Sequence, residues 1–321
     1  MVFSLVSSAE EHQGRRSMAM KGSLLDFLQG WMLIPWRIFI EVYTNLYRPS
    51  ISKDEGEHVP DMDASDTTVD EREMRHWTKL AETWWDPEGE FALLRGFNTT
   101  RIPFIIKTYQ RLLPKQSADF SDFDYPLKGL KVIDVGCGAG LVSEPLVELG
   151  ADVTAVDMVP EIIQIAKTHW TQTHKGARGP EYPEYLCEPV EELAKSREGY
   201  YDMALCLEVL DHVGNLPPFV EHCCKFVRKG GCAIFSTFNR TTAALLLGII
   251  GAEHLLRIVP MDTHHFHKFV KPSELTEMIS SHGLRTVSVH GSFPLNPFAR
   301  RPKWVDIGYT GVTYVLVATR D

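Results

Sequence analysis

Two groups of residues in this 321-residue chain have types and spacings that suit chemistry. The first is Asp134-Val-Gly136-Cys-Gly138-Ala-Gly140, with Asp157 seventeen residues beyond the last glycine. Glycines at alternate positions let the backbone approach a ligand and adopt dihedrals that other residues avoid. The second group is Glu208, Asp211 and His212, two carboxylates and an imidazole at i, i+3 and i+4. If a helical turn begins there, that spacing puts all three on one face. Carboxylate oxygens suit a hard divalent cation such as Mg2+. An imidazole with an ordinary pKa near about 6.5 can instead accept a proton as general base. On spacing alone, the run also reads as a solvated helix start whose acids favour the helix dipole.

These residues need elements to hold them. The glycine turn follows a short apolar run, Lys131–Val135, and opens a helix from about Leu141 to Leu149. Asp157 closes a second run, Asp152–Val156, placed to accept hydrogen bonds from two ribose hydroxyls. Asp134 can serve a ligand's amino group, directly or through water. A dinucleotide turn, G-x-G-x-x-G, needs a small residue where Leu141 stands. No Lys-Ser/Thr pair follows, which disfavours a nucleoside triphosphate. Further strand-like runs are Glu184–Cys187, Tyr201–Cys206, Cys232–Thr237 after Arg228-Lys-Gly-Gly231, Thr286–His290 and Val312–Ala318. Helices are expected over Pro160–Thr173 and near Pro217–Phe226. The alternation predicts an α/β fold with a parallel sheet and helices on both faces. Ligands in such folds sit beyond the carboxyl ends of the strands, at the switch point.

The formal net charge of −9 argues against a polyanionic partner such as DNA or RNA. Six cysteines, without a CxxC pair, read as reduced thiols in an intracellular compartment. Residues 1–22 carry Arg15, Arg16 and Lys21, which suits a transit peptide, and Glu10 and Glu11, which do not. Leu24–Tyr47 is apolar and aromatic, but its longest uncharged stretch, Phe27–Trp36, is well short of the about 20 residues a spanning helix needs. It reads as a membrane-surface segment or as a helix packed on its own domain. We therefore expect a targeting or membrane-proximal segment at 1–52, an acidic linker at 53–71 and a catalytic domain at 72–321, with an insertion at 239–270. Glu71, Met74, Trp77, Leu80, Ala81 and Trp84 recur at helical steps. A second helix is expected from about Thr100 to Leu113.

Beyond these patterns, the chain from roughly Met74 to Val317 resembles the O-methyltransferases of ubiquinone biosynthesis. The resemblance rests on WWDPEGEF (84–91), Asn98 and Arg101 within FNTTRIPFI (97–105), DVGCGAG (134–140), LEVLDHV (207–213), STFNR (236–240), GAEHLLRIVP (251–260), THHFHKFVKPSEL (263–275) and LNP (295–297). It implies a Rossmann-like class I S-adenosylmethionine-dependent methyltransferase. Such a fold has a seven-stranded, mostly parallel sheet, N-terminal helices and a helical insertion after strand five. The implied reaction methylates a phenolic hydroxyl of a polyprenylated ubiquinone precursor, either a polyprenyl dihydroxybenzoate or a demethylubiquinol. The implied cofactor contacts are Arg101, Gly136, Asp157 and Leu207, the last by a backbone or apolar contact and Arg101 near the methionine carboxylate, and Gly138 of the glycine turn joins them as a candidate. The implied ligands of a Mg2+ ion are Glu208, Asp211 and His212, with His212 also the candidate base. The implied setting is the matrix face of the mitochondrial inner membrane, peripherally bound, within a ubiquinone-biosynthesis complex.

Three positions depart from the family. Asp211 replaces the commoner Glu, Leu207 replaces Ser or Met, and Ala139 replaces a glycine. His264, His265 and His267 read as loop residues or a substrate-mouth lining, and one of Trp84 and Trp85 as core. Thr241–Val259 reads either as a lid helix or as an amphipathic element that lies on the membrane and admits a polyprenyl tail. On the second reading, charges at Leu246 and Ile249 would reduce liposome binding more than cofactor affinity. The remaining alternatives are a methyltransferase with another small acceptor and a non-catalytic scaffold that retains the fold.

Overall fold

The computed structural model describes residues 67–113, 125–174, 183–294 and 304–321. The expected N-terminal segment, the linker up to residue 66 and the LNP motif lie outside the described residues. Five parallel strands carry the frame: β1 (Lys131–Val135), β2 (Asp152–Asp157), β3 (Glu184–Cys187), β4 (Tyr201–Leu207) and β5 (Val227–Phe238). Three more complete the sheet: β6 (Leu284–Pro294), β7 (Trp304–Ile307) and β8 (Thr313–Arg320). Their spatial order is β3-β2-β1-β4-β5-β8-β6-β7. β8 runs antiparallel between β5 and β6, and β7 runs antiparallel along the β6 edge. The expected seven strands are thus present, and the short β7 adds an eighth at the edge.

β1, β2, β4, β5 and β8 are buried on both faces over most of their length, which is why they read as continuous apolar runs. Val132, Val153, Met203, Leu205 and Ile234 face one core. Their neighbours Ile133, Val156, Ala204 and Phe235 face the other. The first face carries α1 (Glu71–Leu80), α2 (Ala92–Leu112), α3 (Ser143–Glu148) and α4 (Pro160–Thr173). The second carries α5 (Val190–Arg197), α6 (Leu216–Phe226) and α7 (Pro272–Ser281).

Several boundaries differ from the expectation. The linker does not extend to residue 71: Asp70 caps α1 by accepting from the Arg72 and Glu73 N–H groups, and Thr68 is buried on Glu191. Helix α2 starts at Ala92 rather than near Thr100, and Pro103 sits inside it. The amphipathic α5 and α7 and the edge strand β7 were not expected. After β5 comes Thr242–Ala244 and then a π-helix, Leu245–Leu255. The wider turn of a π-helix changes which side chains share a face. Ile249, expected on the lipid side, is buried with Ala244, Leu245 and Phe269. Leu247 and Leu255 are the exposed leucines, at 38% and 60%.

Candidate active site

The carboxyl ends of β1, β2 and β4 meet under α1 at the switch point and enclose a cavity of about 1150 Å3, open mouth included. The glycine turn forms its floor. Gly136 and Gly138 have φ of +70° and +54°, where an L side chain is strained. A Cβ at Gly138 would lie 2.2 Å from the Trp84 ring, and one at Gly136 2.4 Å from Val209. Trp84 stacks on Phe91, with centroids 3.9 Å apart. Trp85 donates from Nε1 to the Ala139 carbonyl at 3.1 Å and stacks on His169. Trp84 is core, as expected for one of the pair, and both tryptophans brace the turn.

Asp157 lines the cavity and is held by two backbone donors, Gly138 N to Oδ2 and Val159 N to Oδ1, each at 3.0 Å. Burial pushes its pKa up, and these N–H groups partly offset the rise. Asp134 accepts from Ser143 Oγ at 2.6 Å. Its pKa is pushed up to about 6, by burial first and then by the Asp157 charge, against the pull of Ser143 and Arg101. Arg101, from α2, is buried over the Phe97 ring and donates to Asn98 Oδ1 and the Leu94 carbonyl. Burial pushes its pKa down, while the nearby Glu208 and Asp134 carboxylates oppose this. Leu207 closes β4 with an apolar contact to the cavity. The expected cofactor residues Arg101, Gly136, Gly138, Asp157 and Leu207 all line this one space.

The second group is arranged differently from the expectation. No helix begins at Glu208, because residues 208–215 form bends and turns before α6. Glu208 has φ +59°, strained for a residue with a Cβ. Its backbone N–H donates to the Ser236 carbonyl, and its Oε1 accepts from Ser236 Oγ at 2.6 Å. Glu208 therefore does not share a helix face with Asp211 and His212. Asp211 is 2% exposed and accepts from Thr237 Oγ1 at 3.0 Å through Oδ1. Its Oδ2 is buried, finds no hydrogen-bond partner among the described residues, and lies 3.7 Å from His212 Nε2. His212 Nδ1 lies 3.1 Å from Glu73 Oε2, and Trp77 packs edge-on to the ring. With the carboxylate as acceptor, Nδ1 carries the proton. Burial alone would lower the His212 pKa, but Asp211 and Glu73 outweigh it and raise it.

The residue that joins Asp211 and His212 is His264, from the insertion. One ligand atom from each of the three lies within 4.8 Å of the others. His264 is therefore no mere loop lining, whereas His265 and His267 are exposed. Two further residues escaped the sequence reading. Glu73 lies 139 positions from the histidine it orients, and Lys268 clamps Glu73 and Asp70 at 3.0 and 2.9 Å. Pairing of Lys268 with acids at helical spacing is not readable across that separation.

A glycine turn at the switch point, a carboxylate ending β2 and a polar cluster after β4 define an S-adenosylmethionine-dependent methyltransferase. The family model described as a methyltransferase domain matches residues 97–289. The ubiquinone biosynthesis O-methyltransferase of Idiomarina loihiensis is 37% identical over 243 residues, covering 75% of this chain and 91% of the relative. The chain belongs to the ubiquinone biosynthesis O-methyltransferase family. The mitochondrial ubiquinone biosynthesis O-methyltransferase of Mus musculus is 38% identical over 80% of this chain and 66% of its own length. Among solved structures, the magnesium protoporphyrin IX methyltransferase of Synechocystis with bound SAH is 18% identical. It covers 68% of this chain and 100% of its own, with a TM-score of 0.44.

Proposed function

We propose that the protein transfers the methyl group of S-adenosylmethionine to a phenolic hydroxyl of a polyprenylated ubiquinone precursor, a dihydroxybenzoate or a demethylubiquinol. The observation that carries this reading is that the cofactor cavity and the Asp211–His212 cluster share a wall, formed by Glu208 and His212. An acceptor oxygen held at the cluster then faces the sulfonium methyl. Asp157 accepts the ribose hydroxyls, Asp134 faces the ammonium, and the Arg101 fork faces the carboxylate. The chain's main contribution to rate is to hold oxygen and methyl carbon in near-attack geometry.

A phenol ionises near about pH 10 and is a poor nucleophile at neutral pH. The buried, unpartnered Asp211 Oδ2 beside His212 Nε2 fits a divalent cation. When bound there, a cation supplies Lewis acidity that lowers the phenol pKa. His212 has one free ring nitrogen once Nδ1 is committed to Glu73, so it serves as ligand or as base but not both. The nearness of Asp211 Oδ2 to that nitrogen, and of His264 to both residues, favours the ligand role.

No helix of the described residues is long and apolar enough to cross a membrane. The exposed Leu247, Leu255 and Met261 on and beside the insertion support peripheral attachment, which would bring a water-insoluble tail to the site. The relatives named as mitochondrial support a mitochondrial location, and the resemblance supports the matrix face of the inner membrane and membership of a biosynthetic complex. Turnover of a prenylated catechol by the purified protein, with S-adenosylhomocysteine release as the readout, tests the activity. Cofactor binding without turnover on any prenylated phenol would leave only the scaffold reading.

A further inference from the structure

The histidines of the cluster are each pinned in the same way, by elements far apart in the chain. His212 Nδ1 meets Glu73 of α1 at 3.1 Å, and His264 Nδ1 meets Glu253 of the π-helix at 2.6 Å. Glu253 is 1% exposed, and its Oε1 also accepts from the His264 backbone N–H at 3.0 Å. Both rings are left with Nε2 as the free nitrogen. A carboxylate on the far nitrogen is how metal-binding histidines are held, because it fixes the tautomer and raises ligand basicity. The third donor is Asp211 Oδ2, buried and without a hydrogen-bond partner among the described residues.

The spacing suits an ion. Ligand atoms around a four-coordinate ion at about 2.1 Å lie about 3.4 Å apart. Asp211 Oδ2 and His212 Nε2 are 3.7 Å apart, and one ligand atom each from Asp211, His212 and His264 lies within 4.8 Å of the other two. Glu208 is not part of this group, and its Oε1 accepts from Ser236 Oγ at 2.6 Å. Mg2+ prefers oxygen ligands in octahedral array, whereas two imidazoles and one carboxylate suit borderline divalent transition ions.

We infer that Asp211, His212 and His264 form a two-histidine, one-carboxylate site for a borderline divalent transition-metal ion, with Glu73 and Glu253 as positioning residues. The inference rests on the proposed methyl transfer only for the ion's purpose, since metal binding is measurable without turnover. It replaces Glu208 by His264 in the ligand set and Mg2+ by a zinc-, cobalt- or iron-type ion. The site also couples the insertion to catalysis: the π-helix delivers Glu253, which sets His264, which completes the ligand set.

The test uses the full chain stripped with chelator and titrated with Co2+, Zn2+ and Mg2+ by calorimetry, with the Co2+ visible absorption spectrum as an independent readout. The expected result is one Co2+ or Zn2+ per chain, bound at least a hundredfold more tightly than Mg2+. His264→Gln should weaken Co2+ binding at least a hundredfold and alter the spectrum. Glu253→Gln should weaken it about 10- to 100-fold, and Glu208→Gln by less than threefold. A cooperative thermal unfolding transition within a few degrees of wild type shows that each variant is folded. Preferred Mg2+ binding, a loss in Glu208→Gln with none in His264→Gln, or no ion bound by the folded wild type would each overturn the assignment. Ion binding without methylation of any phenol would sink the proposed activity and leave the metal site standing.

Discussion

Replacing Asp157 by Asn keeps the shape of the side chain and removes its charge and one acceptor. In the structure the two carboxylate oxygens take the Gly138 and Val159 N–H groups at 3.0 Å each. An amide has one acceptor oxygen, so its NH2 must face one of those donors. Losing one such hydrogen bond costs roughly 1 kcal/mol of stability. Relief of the buried charge, which already raises the Asp157 pKa, offsets part of that. The fold should therefore change by no more than about 1 kcal/mol. Cofactor binding should change far more, because one charge-assisted bond to a ribose hydroxyl is lost and the other weakened. Hydrogen bonds to charged groups are worth about 1.5–3 kcal/mol, and a loss of about 2–3 kcal/mol is about 30- to 150-fold in affinity. Calorimetric titration with S-adenosylhomocysteine, beside thermal unfolding of the free protein, separates the two effects. An affinity within threefold of wild type would refute the role assigned to Asp157.

Further perturbations probe other parts of the account. Asp134 has its folded pKa raised to about 6 from an ordinary 3.8. The carboxylate that would face the cofactor ammonium is therefore lost as pH falls through about 6, and cofactor affinity should drop toward tenfold per pH unit below it. An Asp134→Asn variant should bind weakly with no such slope, as titrations from pH 5 to 8 would show. The same raised pKa makes folding stability decline as pH rises from about 4 through 6, because the folded state holds the proton more tightly there. Gly138→Ala forces a Cβ into the Trp84 ring at φ +54°, and Trp84 cannot retreat from Phe91. Left-handed strain of about 1–2 kcal/mol plus overpacking of about 1–3 kcal/mol should lower the melting temperature by roughly 5–15 °C, read by calorimetry. Leu247→Glu with Leu255→Glu should weaken flotation with anionic liposomes and leave cofactor affinity unchanged, since both side chains are exposed. The Ile249 side chain is buried, so a charge there reports on folding instead.

The frame was legible because parallel strands covered on both faces must be apolar throughout. β1, β3 and helix α4 fall where their residues place them. The cofactor residues were legible for a related reason: Gly136, Gly138 and Asp157 sit at the ends of adjacent strands, so local spacing determines their meeting. The polar cluster was less so. The spacing of Glu208, Asp211 and His212 suggests a helix face, but residues 208–215 form bends and turns, with Glu208 at a left-handed φ, so no such face is made. His264 reads as one of three loop histidines, and it is held by Glu253, eleven residues earlier on a π-helix, and by the rings of Phe238 and Phe269. Glu73 reaches His212 only once α1 is folded over the sheet. Contacts between elements distant in sequence carry no local signal in residue type or period. The insertion failed for a different reason, since the expected lipid face assumed an ordinary helical turn.

The most direct measurement is the fate of a labelled methyl group. Purified protein, S-adenosylmethionine carrying a 13C methyl and a prenylated catechol are incubated, and the product is read by NMR and mass spectrometry. The account predicts one 13C methyl on a ring oxygen per S-adenosylhomocysteine released. His212→Ala should abolish transfer while leaving S-adenosylhomocysteine affinity within threefold of wild type. A label on ring carbon, or a folded, cofactor-loaded protein that transfers nothing to any prenylated phenol, would contradict it.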